Sequence, residues 1–173
     1  MNKSNYEKVL EVFFDNPNGK FYIREIARIT KLNPNTILNI TNKLEKQELI
    51  KREKKKYIVE LSANFNDNFK QLKRISNFER LIKSRIIEFL NYKFSPEVIV
   101  VIGSYSLGED IPNSDIDLVI LTKKDYTDIN LNKFEKELNR KIHLIITGYN
   151  KISDEFYTNL INGIVLYGAI RKK

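Results

Sequence analysis

The chain of 173 residues is 42% hydrophobic and 30% charged, a composition that can build a core and excludes a disordered chain. It has no cysteine, which excludes disulfides and thiolate zinc sites and favours a reducing compartment. No stretch approaches the roughly 18 apolar residues of a membrane helix, and the N-terminus lacks a signal-peptide core, so we expect a cytoplasmic protein with no membrane partner.

The net charge of +8 is unevenly distributed along the chain. Residues 1–62 contain 13 basic and 8 acidic residues, and residues 63–92 contain 6 and 3. Residues 93–173 contain 11 of each and are therefore neutral. The basic charge of the first part suggests that it binds a polyanion, whereas the neutral second part is expected to have a different function.

The first 62 residues have the pattern of three helices followed by a hairpin. Apolar spacing predicts helices over 5–15, 23–30 and about 34–47, the last with Asn33 as N-cap and Pro34 in the first helical position. Two short strands, LIKRE and YIVEL, flank a lysine-rich turn. The order predicts a basic two-stranded ribbon after three helices.

This stretch resembles the winged helix-turn-helix domains of the multiple-antibiotic-resistance-regulator type over about residues 5–62. The resemblance implies a double-stranded DNA partner. On the third helix, polar side chains lie off the apolar face, and asparagine and lysine suit contacts to bases and phosphates; the lysines of the ribbon tip suit a phosphate backbone or minor groove. The candidate DNA-binding residues are Asn35, Thr36, Asn39, Asn42, Lys43, Lys46, Lys54, Lys55 and Lys56.

Residues 65–92 have one continuous helical pattern without glycine or proline. We expect a long connecting helix, assigned to residues 63–92, which either packs in a core or forms a dimerisation seam. The expected inward positions are Phe65, Phe69, Leu72, Ile75, Phe78, Ile82, Ile86 and Phe89.

From residue 93 onward strands alternate with short helices. Apolar runs EVIVVIG, DIDLVILT, KIHLIIT and GIVLYG predict strands, and helical patterns lie between them, the last with Ser153 as N-cap. The chain is therefore of the α/β (α+β) class, with residues 93–173 as a third segment.

Asp115 and Asp117 lie one residue apart at the start of an apolar run. Side chains at i and i+2 of a strand share a face, so the carboxylates are expected roughly 6–7 Å apart. Both stay ionised at low cost when solvent or a cation lies between them, and Mg²⁺ commonly uses one or two carboxylates plus substrate phosphates.

Gly103 and Ser104 follow another apolar run. A strand that ends in glycine can turn sharply into a helix, whose first backbone N–H groups and positive dipole end suit a phosphate. A phosphate cradle beside a cation site indicates phosphoryl or nucleotidyl transfer.

The stretch GSYSLGEDIPNSDIDL with its flanking strands resembles the signature of the DNA-polymerase-beta-like nucleotidyltransferase superfamily in its minimal form, over about residues 93–169. The resemblance implies a mixed sheet, and it implies that Gly103 and Ser104 bind the triphosphate while Asp115 and Asp117 bind Mg²⁺ or Mn²⁺. It further implies attack of an acceptor hydroxyl on the α-phosphate with release of pyrophosphate, and ATP as the expected substrate.

Active members usually carry a third carboxylate on the next strand, where this chain has His143, its one histidine. Imidazole is a poorer Mg²⁺ ligand than carboxylate. Three alternatives stay open: His143 fills the position without a role, it acts as ligand or base for the acceptor hydroxyl, or transfer is lost and only nucleotide binding remains.

Three functions are therefore considered, the last of them a protein-interaction scaffold. The first is a nucleotidyltransferase that moves NMP, with AMP from ATP favoured, to a protein or nucleic-acid hydroxyl. Since some minimal relatives adenylylate a tyrosine of a partner toxin, a neighbour-encoded toxin is a candidate acceptor. The second is a DNA-binding regulator whose degenerate transferase domain senses nucleotide.

Overall fold

The computed structural model of the chain describes residues 3–124 and 129–171. The chain forms two compact units, Met1–Lys70 and Gln71–Lys173. In the described residues, no helix combines the length and the apolar character that crossing a membrane requires.

The first unit contains helices and a small antiparallel sheet. The central strand of this sheet, Ile58–Ala63, has Lys20–Phe21 on one side and Ile50–Lys55 on the other, and Lys55 pairs with Ile58 across the hairpin turn. The predicted helices and hairpin are confirmed. The elements are α1 (Asn5–Asp15), β1 (Lys20–Phe21), α2 (Ile23–Thr30), α3 (Pro34–Lys46), β2 (Ile50–Lys55) and β3 (Ile58–Ala63).

Local hydrogen bonds explain where α1 and α3 begin. The Ser4 hydroxyl accepts from the backbone N–H of Glu7, and the Glu7 carboxylate accepts from the backbone N–H of Ser4. At α3 the Asn33 side chain accepts from the N–H of Asn35, and Pro34 takes the first helical position, as predicted.

The second unit is built on a mixed four-stranded sheet, whose strands lie in the order β6 (Ile142–Thr147), β5 (Ile116–Leu121), β4 (Val98–Ile102) and β7 (Ile164–Gly168). Strands β5 and β6 are parallel, and the other neighbours are antiparallel. The predicted alternation of strands and helices is confirmed. Helix α4 begins within the first unit, and the elements are α4 (Asp67–Ser84), α5 (Ile86–Phe94), β4 (Val98–Ile102), α6 (Gly103–Leu107), β5 (Ile116–Leu121), α7 (Asn132–Leu138), β6 (Ile142–Thr147), α8 (Asp154–Ile161) and β7 (Ile164–Gly168).

Both faces of the sheet are covered by apolar side chains. On one face Ile116 and Leu118 of β5 pack in a cluster with Phe134 of α7. On the other face Val119 packs in a cluster with Leu160 of α8. Because β4 is buried on both faces, its five residues are all apolar.

The prediction of one continuous helix over 65–92 is wrong. The chain leaves the helix at Arg85, which has a left-handed backbone with φ 61°, and α5 starts at Ile86. The Ser84 hydroxyl donates to the carbonyl of Leu81 at 2.8 Å and accepts from the N–H of Ile86 at 3.3 Å. A serine that bonds to nearby backbone offers the chain an alternative to the helix, and here it ends α4.

The prediction of which residues of α4 face inward is also partly wrong. Ile75 and Ile82 are 63% and 51% exposed, and Phe65 just before the helix is 42% exposed. The buried residues of the stretch recur at steps of three or four and include polar ones: Phe69, Lys73, Asn77, Leu81 and Ser84. Dimerisation through this helix stays a prediction.

Candidate active site at one end of the mixed sheet

Gly103 lies at the turn from β4 into α6 and packs against Asp117. Its φ is +70°, in the left-handed region that favours glycine. A Cβ added at this position would come within 2.8 Å of the Asp117 Oδ2 atom. The antiparallel pairing of Ile102 with Asp117 brings the end of β4 beside the start of β5. The glycine therefore leaves room for the carboxylate.

Asp117 also contacts His143 on the neighbouring strand. The two residues are partners in the parallel β5–β6 ladder, and His143 Nδ1 lies 2.9 Å from Asp117 Oδ1. Their side chains are 61% exposed for His143 and 33% for Asp117. Against an ionised carboxylate the contact is a hydrogen bond in which protonated Nδ1 donates.

Asp115 precedes β5 and is exposed, whereas the sequence analysis put it within the strand. The next residue is fixed, because the Ile116 N–H donates to the Lys141 carbonyl at 2.8 Å. Asp115 borders an open cleft of about 640 Å³ that Lys136 and Arg140 also line.

Ser104 is the second residue of the short helix α6 and is half-buried. Its carbonyl accepts from the N–H of Glu109 at 2.9 Å, and the N–H of Gly108, which ends α6, bonds to the same carbonyl. The first N–H groups of a helix have no partner within it. These N–H groups directly follow Ile102, the β4 residue that pairs with Asp117.

The donor atoms at this end of the sheet fit a hard divalent cation that is shared with a substrate. Asp115 and Asp117 offer carboxylate oxygens, and the space beside Asp117 exists because residue 103 has no Cβ. In the described part of the chain, no three histidine, cysteine or acidic side chains form a metal-binding cluster. Two carboxylates would leave the remaining positions of such a cation to phosphate and water oxygens.

The predicted DNA-binding residues form two groups in the first unit. On α3 all are exposed except Thr36, which is half-buried, and the Asn42 side chain accepts from Arg52 Nη2 at 2.7 Å. On the hairpin Lys54, Lys55 and Lys56 are exposed, but Lys55 Nζ lies 3.1 Å from Glu60 Oε1. This bond to Glu60 raises the pKa of Lys55.

The sequence analysis missed a buried polar cluster, which we call the Asp110 cluster: Lys73, Asn77, Asp110 and Arg140. Lys73 Nζ lies 2.6 Å from Asp110 Oδ1, and Asn77 donates to the same oxygen at 2.7 Å. The one signal in the sequence was the spacing of Lys73 and Asn77, which places them on the helix face of Phe69 and Leu81.

Comparison with known families agrees with the geometry of the second unit. A sequence model of the family described as "Polymerase beta, Nucleotidyltransferase" matches residues 84–172, just over half of the chain. This range includes the predicted site residues Gly103, Ser104, Asp115, Asp117 and His143, and it contains the stretch on which the resemblance was based. Searches among curated proteins and among solved structures gave no match. The chain therefore belongs to the polymerase beta nucleotidyltransferase family.

Proposed function

We propose that the protein is a metal-dependent nucleotidyltransferase that moves NMP from a nucleoside triphosphate, with ATP as the first candidate, to an acceptor hydroxyl. The observation that carries this proposal is the fit of the Gly103 turn against the Asp117 carboxylate, where an added Cβ would come within 2.8 Å of Oδ2. Nucleotidyltransferase domains generally use divalent metals and nucleoside triphosphates, and two carboxylates beside backbone donors suit both.

Each residue then has a defined task. Gly103 and Ser104 hold the triphosphate through backbone N–H groups, with the Ser104 hydroxyl as a further donor. Asp115 and Asp117 would hold Mg²⁺ or Mn²⁺, which would neutralise charge on the phosphates. The oxygen of the acceptor hydroxyl would form a bond to the α-phosphorus as the bond to pyrophosphate breaks, and the hydroxyl proton would pass to a base such as solvent water. Catalysis then comes mainly from positioning and charge neutralisation.

His143 is the residue at which the proposed transfer site differs from the usual set of three carboxylates. We expect that it fills the third position, and that His143→Asp increases Mg²⁺-supported transfer several-fold over wild type because carboxylate is the better ligand for a hard cation. His143→Ala is expected to transfer at about the wild-type rate. The measurement is the transfer of label from α-labelled ATP with Mg²⁺ or Mn²⁺.

A different result would assign His143 to the reaction itself. If His143→Asp and His143→Ala both lose transfer, the imidazole acts as the base or as a required ligand. Equal binding of ATP by all three proteins, measured by calorimetry, is the control that separates chemistry from affinity.

The second candidate function is a regulator that binds nucleotide without transferring it. The observation that favours it is the imidazole of His143, 2.9 Å from Asp117 Oδ1, in the place of a third acid. Binding of ATP that Asp115→Ala/Asp117→Ala abolishes, without transfer to any acceptor, would select this function.

For the first unit we propose a winged helix-turn-helix that binds double-stranded DNA. The order of helices, with β1 between α1 and α2 and a hairpin after α3, supports it. The exposed asparagines and lysines of α3 and the lysines at the hairpin tip also support it. The proposed division of the chain at residues 62 and 92 separates this module from a connecting segment and the transferase.

The lysines of the hairpin tip give a test of DNA contact. We expect Lys54→Ala/Lys56→Ala to weaken duplex binding and to reduce the slope of log K against log[salt] by about 1.8, since each phosphate contact contributes about 0.9. Lys55→Ala is the matched control. Because Lys55 Nζ already forms an ion pair with Glu60 at 3.1 Å, this variant is expected to change the slope less. Fluorescence anisotropy with a labelled duplex at several salt concentrations measures both, and an unchanged slope in the double variant would exclude the tip from DNA contact.

The acceptor is proposed to be a protein or nucleic-acid hydroxyl, with a tyrosine of a neighbour-encoded toxin as one candidate. Incubation of the protein with labelled ATP, a divalent cation and the neighbour-encoded protein or RNA would identify it. Label on the protein alone, on the partner or on RNA distinguishes these acceptors.

A further inference from the structure

The Asp110 cluster is a buried group of charges outside the proposed metal and phosphate contacts. Lys73 and Asp110 are 0% and 1% exposed, and Asn77 is 3% exposed. Lys73 Nζ donates both to Asp110 Oδ1, at 2.6 Å, and to the Asp110 backbone carbonyl. Arg140 Nη2 lies 3.5 Å from Asp110 Oδ2. Two cations of separate elements thus converge on one carboxylate.

The cluster forms hydrogen bonds to the segment that connects the Gly103 turn with Asp115 and Asp117. Asp110 lies between Ser104 and Asp115 in the sequence. Asn77 donates to the Tyr105 carbonyl at 3.0 Å, and Arg140 Nη1 donates to the Pro112 carbonyl at 3.0 Å. Together with the bond from Lys73 to the Asp110 carbonyl, these contacts hold the main chain at one point in α6 and at two points between α6 and β5.

Stability alone is a weak reason for such a cluster. Removing two charges from water costs several kcal/mol per ion, and apolar side chains of similar volume often stabilise a protein as well or better. Burial lowers the pKa of Lys73, while Asp110 opposes this shift. An apolar replacement could not donate hydrogen bonds to the carbonyls of Tyr105, Asp110 and Pro112, because apolar side chains have no donors.

We propose that Lys73 and Asp110 are positioning residues for nucleotidyl transfer, which hold residues 105–112 so that the Gly103 turn stays aligned with Asp115 and Asp117. Neither side chain touches the nucleotide. The proposal rests on the proposed function, since alignment of the two motifs matters only if they bind one ligand.

The test is a double-mutant cycle read out in nucleotide affinity. Lys73→Met and Asp110→Asn are each expected to weaken binding of Mn²⁺–ATP by about tenfold or more, the effect of losing a partner that orients a ligand-binding group. The double variant is expected to lose no more than either single variant, because the pair acts as a unit. Calorimetry at a temperature where circular dichroism reports a native fold for every variant measures the affinities.

A matched control separates positioning from general destabilisation. Leu81→Ala removes a fully buried apolar side chain from the same helix and deletes none of the hydrogen bonds of the Asp110 cluster. It is expected to lower the melting temperature and to leave nucleotide affinity at the wild-type value. If Lys73→Met binds Mn²⁺–ATP like wild type, or if Leu81→Ala loses as much affinity, the cluster is only structural and the proposal fails.

Hydrogen exchange tests the same inference without any nucleotide. Amides of residues 103–117 are expected to exchange about tenfold faster in Lys73→Met, a loss of about 1.4 kcal/mol of local protection, while Leu81→Ala leaves their exchange relative to the rest of the unit unchanged. If wild type binds no nucleotide, the proposed function fails by itself. In that case unchanged exchange in Lys73→Met overturns the holding role, and faster exchange supports it.

Discussion

Asp117→Asn is expected to reduce nucleotide transfer by about 10³-fold, since loss of the charge that holds the metal costs about 4 kcal/mol of transition-state stabilisation. The substitution keeps the shape of the Asp117 side chain. Its Oδ1 atom lies 2.9 Å from His143 Nδ1, and its Oδ2 atom lies beside Gly103. The measurement is single-turnover transfer from α-labelled ATP to the identified acceptor. Asp115→Asn is expected to have the same direction of effect.

Glu137→Gln is the control for this experiment. Glu137 is an exposed acid of α7 in the same unit, and its neutralisation changes the net charge by the same amount. It is expected to transfer at the wild-type rate. If Asp117→Asn kept more than about a tenth of wild-type transfer, a loss of under 1.4 kcal/mol, its carboxylate would not hold a catalytic metal.

Gly103→Ala is expected to have the second largest effect. A residue with a Cβ at φ +70° costs about 1–2 kcal/mol of stability, and here the Cβ would also press on Asp117 Oδ2 from 2.8 Å. The carboxylate must move, because it is the flexible partner in this contact. We therefore expect affinity for Mn²⁺–ATP to fall by about tenfold or more, as in other losses of ligand orientation.

Gly108→Ala controls for backbone strain in this experiment. Gly108 ends α6 and has φ 71°, nearly the same as Gly103. Thermal unfolding is expected to show destabilisation of both variants, whereas calorimetry is expected to show a larger loss of nucleotide affinity for Gly103→Ala. Equal losses of affinity would mean that strain, not the room left for Asp117, explains the glycine.

Much of the fold could be predicted from the sequence because its signals are local. Asn33 and Pro34 mark the start of α3, and Ser153 accepts from the Phe156 N–H at the start of α8, as predicted from its position. The apolar runs become β4 to β7, and uninterrupted apolar segments suit β4 and β5 in particular, which are buried on both faces. These patterns need no knowledge of distant contacts.

The position of His143 on a strand beside Asp117 could also be predicted, although not the contact between the two side chains. The sequence analysis expected His143 on the strand next to Asp117, and the ladder pairs the two residues. It did not find that the two side chains meet at 2.9 Å. It also placed Asp115 inside the strand, because alternation of polar and apolar residues does not mark where a ladder begins.

The Asp110 cluster could not be predicted, because apolar periodicity assigns charged residues to solvent. Lys73 and Asn77 are buried through partners that are 37 and 28 or more residues away in the sequence. The same limit explains why Ile75 and Ile82 were placed inward but lie exposed. The break at Arg85 was missed because nothing in the pattern showed that the Ser84 hydroxyl bonds to the backbone on both sides of it.

The most direct test of the central claim is to locate a bound metal–nucleotide on the protein. Mn²⁺ with an ATP analogue that cannot be cleaved at the α-phosphate broadens the NMR signals of nearby amides, and it would be titrated into isotope-labelled protein. We predict broadening centred on Gly103, Ser104, Asp115 and Asp117, which is lost in Asp115→Asn/Asp117→Asn. Broadening centred elsewhere in the second unit, or unchanged by that substitution, would contradict the account.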